Sequence, residues 1–186
     1  YYLDIVALIL ELRVAEHWKK CMVSIVQQAW ERIGTVFFLE GEGGVGKSFL
    51  PRAYRALLGR HYVEMEAEKY ANKFNSMMAR ARVASVSEVN KLKHDLLDPL
   101  KRNIKEDGDP SSLTRNIEPK GKEVAQIDRN TLVVLTSNNA YPGGIDSGEA
   151  RRVCLARRSP AGAAKDGEHV VGGATKTEAQ WKAPHE

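Results

Sequence analysis

Eight consecutive residues, Gly41-Glu42-Gly43-Gly44-Val45-Gly46-Lys47-Ser48, satisfy the spacing G-x-x-x-x-G-K-S/T at every position. The chemistry of that spacing is phosphate binding. Glycines let successive backbone N–H groups turn inward onto an anion, where side chains would obstruct them. Lys47 would bring a point charge to the terminal phosphates, and the Ser48 hydroxyl would take one coordination position on Mg²⁺. The nucleotide-binding set is Gly41, Gly43, Gly44, Val45, Gly46, Lys47, Ser48 and Phe49, with ATP and Mg²⁺ as the expected ligands. The competing interpretation is a glycine-rich turn between unrelated elements. With ordinary residue frequencies, such a match arises by chance on the order of once in a hundred chains of this length.

Hydrolysis asks for more: an acid near the metal, a group that positions water, and cationic charge for the transition state. Glu88 follows the apolar run 82–86 and suits the acid, polarising water or holding Mg²⁺ through water. Asn138 follows the run 131–135, and its amide can hydrogen-bond both a phosphate and that water. Arg151-Arg152, just before Val153, could supply an arginine finger. Each has a plain alternative. Glu88 could be a solvated acid opening a helix, Asn138 a turn residue beside Asn139, and the arginines a surface pair.

These residues need elements to position them. Thr35–Leu39 has the β-branched and aromatic composition of a strand buried on both faces. Ser48–Leu58 keeps a helical spacing through Phe49, Leu50, Ala53, Leu57 and Leu58, with Pro51 early enough to be tolerated. Residues 3–32 read as one or two helices, carried by Leu3, Val6, Ile9, Leu10 and then Met22, Ile25, Val26, Ala29. A weaker strand is expected over 61–64 and a helix over 67–79, with Tyr70, Phe74, Met77 and Met78 on its apolar side. Strand 82–86 is followed by a helical stretch over 89–104, interrupted near Asp98-Pro99. Residues 108–128 are polar with turn signals. Strands are expected again at 132–135 and 153–156. Strands alternating with helices predict an α/β protein with a mainly parallel sheet. The chain divides into an N-terminal helical segment (1–33), a core (34–158), and a tail (159–186) with a disordered or linker composition.

Composition adds mild constraints. The 186 residues suffice for one sizeable core, and 42% hydrophobic with 28% charged is ordinary for a globular chain. A net charge of +4 leans toward an anionic partner. Cys21 and Cys154 have no metal-ligand spacing and suggest a reducing compartment, the cytoplasm. The apolar run 5–10 is too short to cross a bilayer, and no membrane association is expected. A chain opening on Tyr1 rather than methionine suggests a piece of a longer protein.

An ordered set of phrases then resembles a known family. GEGGVGKS, ALLGRHYVEM, RVASVSEVN, DPLKRNIKEDG and IEPKGKEVAQIDRNTLVVLTSNNAYPGGIDSGEARRV are similar to the superfamily 3 helicases of viruses, phages and plasmids, most of all to helicase domains attached to primases. The resemblance covers Thr35 to Arg158. It implies an AAA+-like P-loop NTPase, a three-layer sandwich, assembled as a ring, commonly hexameric, around single-stranded DNA. ATP would lie between subunits and drive 3′-to-5′ translocation in viral, phage or plasmid replication in the host cytoplasm. A primase would be fused or associated. In this scheme Lys47 and Ser48 are the phosphate motif, Glu88 the acid and Asn138 the asparagine of the third motif. One of Arg151 and Arg152 reaches a neighbour's nucleotide. Between the acid and the asparagine the family places a hairpin with a DNA-contacting basic tip, which Lys120 and Lys122 around Gly121 fit, with Lys101 in the helix before it. Ser87 departs from the pattern, standing where many P-loop enzymes carry an aspartate. The alternatives are another P-loop ATPase, such as a packaging motor or a clamp-loader-like protein, and a non-catalytic ATP-binding oligomerisation module of a replication protein.

Overall fold

The apolar runs become neighbouring strands of one sheet. The computed structural model describes residues 6, 10, 12–27, 33–41, 46–72, 76–89, 94–109, 111, 113–117, 121, 123–128, 130–138, 153–157, 168–171 and 174–177. Among these, helices α1 (Leu12–Gln27), α2 (Phe49–Leu58), α3 (Ala67–Ala71) and α4 (Leu97–Asp107) alternate with strands β1 (Val36–Glu40), β2 (Tyr62–Glu66), β3 (Val83–Ser87), β4 (Thr114–Ile117), β5 (Ala125–Asp128), β6 (Leu132–Ser137) and β7 (Val153–Arg157). Five strands form a sheet in the order β2-β3-β6-β1-β7, every neighbouring pair parallel.

Period-two alternation sorts the strands' side chains onto two faces. Val36, Phe38, Val86, Val133 and Leu135 join Tyr70 of α3 with Leu100 and Ile104 of α4 in one apolar cluster. Phe37, Leu39, Leu132 and Val134 join Ala15, Trp18 and Ile25 of α1 with Leu50 and Tyr54 of α2 in the other. The sheet is therefore covered on both faces, which is why its central strands read as continuous apolar runs. All six residues of β6 are buried.

The helices differ from expectation in phase and extent. On α1 the buried stripe is Ala15, Trp18, Cys21 and Ile25, while Val26 is exposed. Trp18 sets that phase. Its ring lies edge-on to Phe37 at 4.9 Å and to Tyr54 at 5.5 Å, and each such pair contributes ~0.5–1.5 kcal/mol beyond the area it buries. On α2 the buried residues are Leu50, Pro51 and Tyr54, whereas Phe49 and Leu57 face solvent. The helix expected over 67–79 is described as short α3 followed by a 3₁₀ turn at Ser76–Arg80. Pro99 lies in the first turn of α4, where a missing N–H is tolerated, so the helix starts there instead of breaking.

The polar stretch 108–128 holds an antiparallel hairpin, β4 with β5, hydrogen-bonded to neither edge of the main sheet. Gly121, in its connecting loop, has φ 72°, a conformation that favours glycine. Within the tail a second short hairpin pairs β8 (Glu168–Val171) with β9 (Ala174–Thr177). No helix among the described residues is long and apolar enough to cross a membrane.

His17 of α1 packs on Phe37, and its Nε2 lies 3.2 Å from the Thr35 hydroxyl. Burial, then the neighbouring Lys20 charge, lowers its pKa from the ordinary 6.5. The folded state therefore binds that proton less well than the unfolded chain. Its contribution to stability is present above pH 6.5 and lost as the pH falls below it. Between pH 7.5 and 5.5, the Tm of the wild type is expected to fall further than that of His17→Asn, which thermal denaturation at the two pH values will measure.

Candidate functional site

Strand β1 ends at Glu40, and the chain turns away through Gly41, whose φ of 151° few side chains allow. The loop returns at Gly46, again with positive φ (88°), and the Phe49 N–H closes the first helical turn onto the Gly46 carbonyl at 3.0 Å. Lys47 is drawn inward until only 9% of it is exposed, and its Nζ donates to the Gly41 carbonyl at 2.7 Å. Burial lowers its pKa. An ammonium so placed has lost solvation that an approaching phosphate would restore, while the N-terminal end of α2 adds positive potential. Ser48 stands exposed at the start of that helix. Gly43, Gly44 and Val45 lie outside the described residues. The donor set fits a nucleotide's phosphates: a buried cation, a glycine-shaped backbone and a free-facing hydroxyl.

Parallel pairing brings two further strand ends to the same edge. Glu40 registers with Ser137, so one step further on Asn138 stands beside Gly41. Val86 registers with Leu135, and the Thr136 hydroxyl donates to the Val86 carbonyl at 3.4 Å, stitching β6 to β3 just short of their ends. Glu88 then follows the tip of β3. Because β6 is inserted between β3 and β1, Asn138 stands between the acid and the loop, with strands about 4.8 Å apart.

Glu88 is exposed and has φ 60°, alone among the described non-glycine residues in having positive φ. That conformation costs a side-chain-bearing residue about 1–2 kcal/mol. Its local cause is the need to bury Val86 and Val89 on either side of a strand end, both at 1% exposure or less. Glu88 lies exposed just past the end of β3, at the end of the sheet where the loop lies. Strained non-glycine residues of this sort gather at active sites.

β7 contributes differently. Its first residue, Val153, pairs with Val36 at the far end of β1, about 16 Å from the loop by strand rise. Arg151 and Arg152 lie outside the described residues, but the residue they lead into belongs to the opposite edge of the sheet. Lys101 is half-buried within α4. Lys120 and Lys122 lie outside the described residues, flanking Gly121 in the hairpin loop.

The sequence placed Tyr70 on an apolar helix face but gave no role to Asp107 and Arg115, the two charges that the fold buries with it. One signal was available. In Thr114-Arg115-Asn116-Ile117, Arg115 shares the strand phase of Ile117, so a charge falls on the buried face.

Comparisons agree with this architecture. The apo C-terminal region of NrS-1 is similar at 16% identity with a TM-score of 0.69, covering 84% of this chain and 38% of that one. Its A form is similar at 18% identity and a TM-score of 0.65, covering 84% and 36%. A further A-form structure gives 16%, 0.63, 85% and 37%. The chain thus spans less than two fifths of each of these three structures, and at these identities the likeness is one of fold. No curated protein matches the sequence. Residues 39–152 match the profile of a family of unknown function, DUF5906, a span that runs from the last residues of β1 past the phosphate loop, Glu88, the hairpin and Asn138. With most of its length inside that match, the chain belongs to the DUF5906 family.

Proposed function

We propose that this chain is the ATP-hydrolysing motor of a DNA helicase of the superfamily 3 type, an AAA+-like P-loop NTPase acting in viral, phage or plasmid replication. The observation that carries the reading is the convergence of Lys47, Asn138 and the strained Glu88 at one edge of a parallel sheet. Gly41, Gly46, Lys47 and Ser48, with Gly43, Gly44 and Val45 completing the loop, would hold the phosphates, and Phe49 the adjoining part of the nucleotide. Ser48 and Glu88 would hold Mg²⁺, which when bound offsets phosphate charge. Glu88 accepts a proton from the attacking water, and the Asn138 amide orients that water toward the phosphate. The start of β7 at the far edge supports a finger, Arg151 or Arg152, that serves a neighbouring subunit and not its own loop. That arrangement fits an oligomeric ring, in which the hairpin loop with Lys120 and Lys122, aided by Lys101, would track the phosphates of single-stranded DNA.

Steady-state ATP hydrolysis with Mg²⁺, with and without single-stranded DNA, tests the reading. The expected result is DNA-stimulated turnover that falls by about a hundredfold in Lys47→Ala, in line with the loss of one charge-stabilising donor. ATP binding without turnover would instead identify a non-catalytic assembly module.

A further inference from the structure

Among the described residues the hairpin shares no strand pairing with the main sheet, so other contacts fix it. Its outward residues Thr114, Asn116, Gln126 and Asp128 are exposed, and the other face buries Arg115 and Ile117, at 6% and 4% exposure. Arg115 Nη2 donates to Asp107 Oδ2 at 2.7 Å. The Tyr70 hydroxyl donates to the same oxygen at 2.6 Å, and the Arg115 guanidinium lies 5.7 Å from the centre of the Tyr70 ring. Asn103 Nδ2 donates to the Tyr70 carbonyl at 2.7 Å, tying α4 to α3 beneath the pair.

Two details indicate that the pair is more than incidental packing. Asp107 is the last residue of α4, where the helix dipole disfavours a carboxylate, so the position is electrostatically wrong for the helix and right for Arg115. Beside the pair lies a small cavity lined by Met78, Asp107, Arg115, Ile127, Asp128 and Thr131. Four of those six residues are polar, so at this part of the hairpin the charged contact supplies the fixed geometry.

We infer that Tyr70, Asp107 and Arg115 clamp the base of the hairpin to α3 and α4, and are positioning residues for the loop that meets nucleic acid. The clamp stands on the contacts above, whereas the nucleic-acid role rests on the functional reading proposed for the chain. The clamp makes the hairpin one body with α4, the helix that follows Glu88 in the chain, so displacement at the loop is delivered to that helix and not absorbed at the hairpin base.

The test uses the whole chain with Asp107→Leu/Arg115→Met, an apolar replacement that removes both charges together and leaves neither buried alone. Hydrogen exchange is expected to show unchanged protection in β1 and β6, with amides of 114–117 and 125–128 exchanging about tenfold to a hundredfold faster. Binding of a fluorescent single-stranded oligonucleotide should weaken by about tenfold while ATP affinity holds, since backbone-tracking contacts need a fixed loop. Tyr70→Phe, which removes one donor, should give a smaller change in the same direction. Hairpin protection equal to wild type would overturn the clamp. Faster hairpin exchange with undiminished DNA affinity would overturn the positioning role. An unsubstituted chain that binds no single-stranded DNA would refute the functional reading and the positioning role with it, and exchange would still decide the clamp by itself.

Discussion

Glu88→Gln is expected to lower ATP turnover by about 10²- to 10⁴-fold, the range for loss of a positioned general base, with nucleotide affinity nearly unchanged. The glutamine keeps the shape and the hydrogen-bonding reach of the carboxylate but cannot accept the proton. Single-turnover hydrolysis beside equilibrium nucleotide binding separates the two quantities. The backbone gives a sharper companion test. At φ 60°, glycine carries no Cβ penalty. Glu88→Gly is therefore expected to raise the unfolding free energy by about 1 kcal/mol while removing turnover. A residue retained for the fold would lose stability on truncation. Gain of stability with loss of activity is the signature of strain kept for chemistry. Equal turnover in wild type and Glu88→Gln would remove Glu88 from the mechanism.

The second large effect is on folding. Arg115→Ala leaves the Asp107 carboxylate, 7% exposed, without its guanidinium partner, and is expected to cost ~3–5 kcal/mol. For a domain of modest stability that is a large share of the total. Tyr70 reports on the same site. Its burial first, and then the adjacent Asp107 charge, raise its hydroxyl pKa well above the ordinary 10.0. The hydroxyl therefore remains a donor across the physiological range. Urea denaturation of Arg115→Ala and of Asp107→Leu/Arg115→Met should separate an unpaired charge from a lost pair. The single substitution is expected to be the less stable of the two, because it alone strands a charge in the interior. The reverse order would mean that the Asp107 carboxylate, still bonded to the Tyr70 hydroxyl, is not stranded when the guanidinium is removed.

How far the chain could be read in advance depended on the range of the interactions involved. The strands were legible because burial on both faces leaves only apolar residues, as in Val36–Leu39 and Leu132–Leu135. The phosphate loop was legible because one function fixes its residue types at adjacent positions. The strand order was not, since nothing local to β6 says that it inserts between β3 and β1. That insertion is what brings Asn138 between Glu88 and Gly41. Helix phase was legible only in part. In α1 Ile25 is buried and Met22 packs against the same cluster, as their spacing required, but Val26 falls outside the stripe that Trp18 sets. The strain at Glu88 had no signal in composition, because it arises from burying Val86 and Val89 at once. Tyr70, Asp107 and Arg115 come from three separate elements, and pairing across such sequence distances leaves a trace only where a charge breaks the phase of its own strand, as at Arg115.

The register of β1 also bears on how the chain is made. Val36 has its two strand partners in Val133 and Val153, roughly a hundred residues further along, so its contacts are among the least local in the molecule. During synthesis the hydrophobic strand Val36–Leu39 leaves the ribosome with neither neighbour yet translated, and it waits about 5–20 s at ordinary elongation rates. For that interval the segment that will carry the phosphate loop is an unpaired apolar edge. It is the stretch that a chaperone would shield in the nascent protein, and the one from which aggregation would start if release came early.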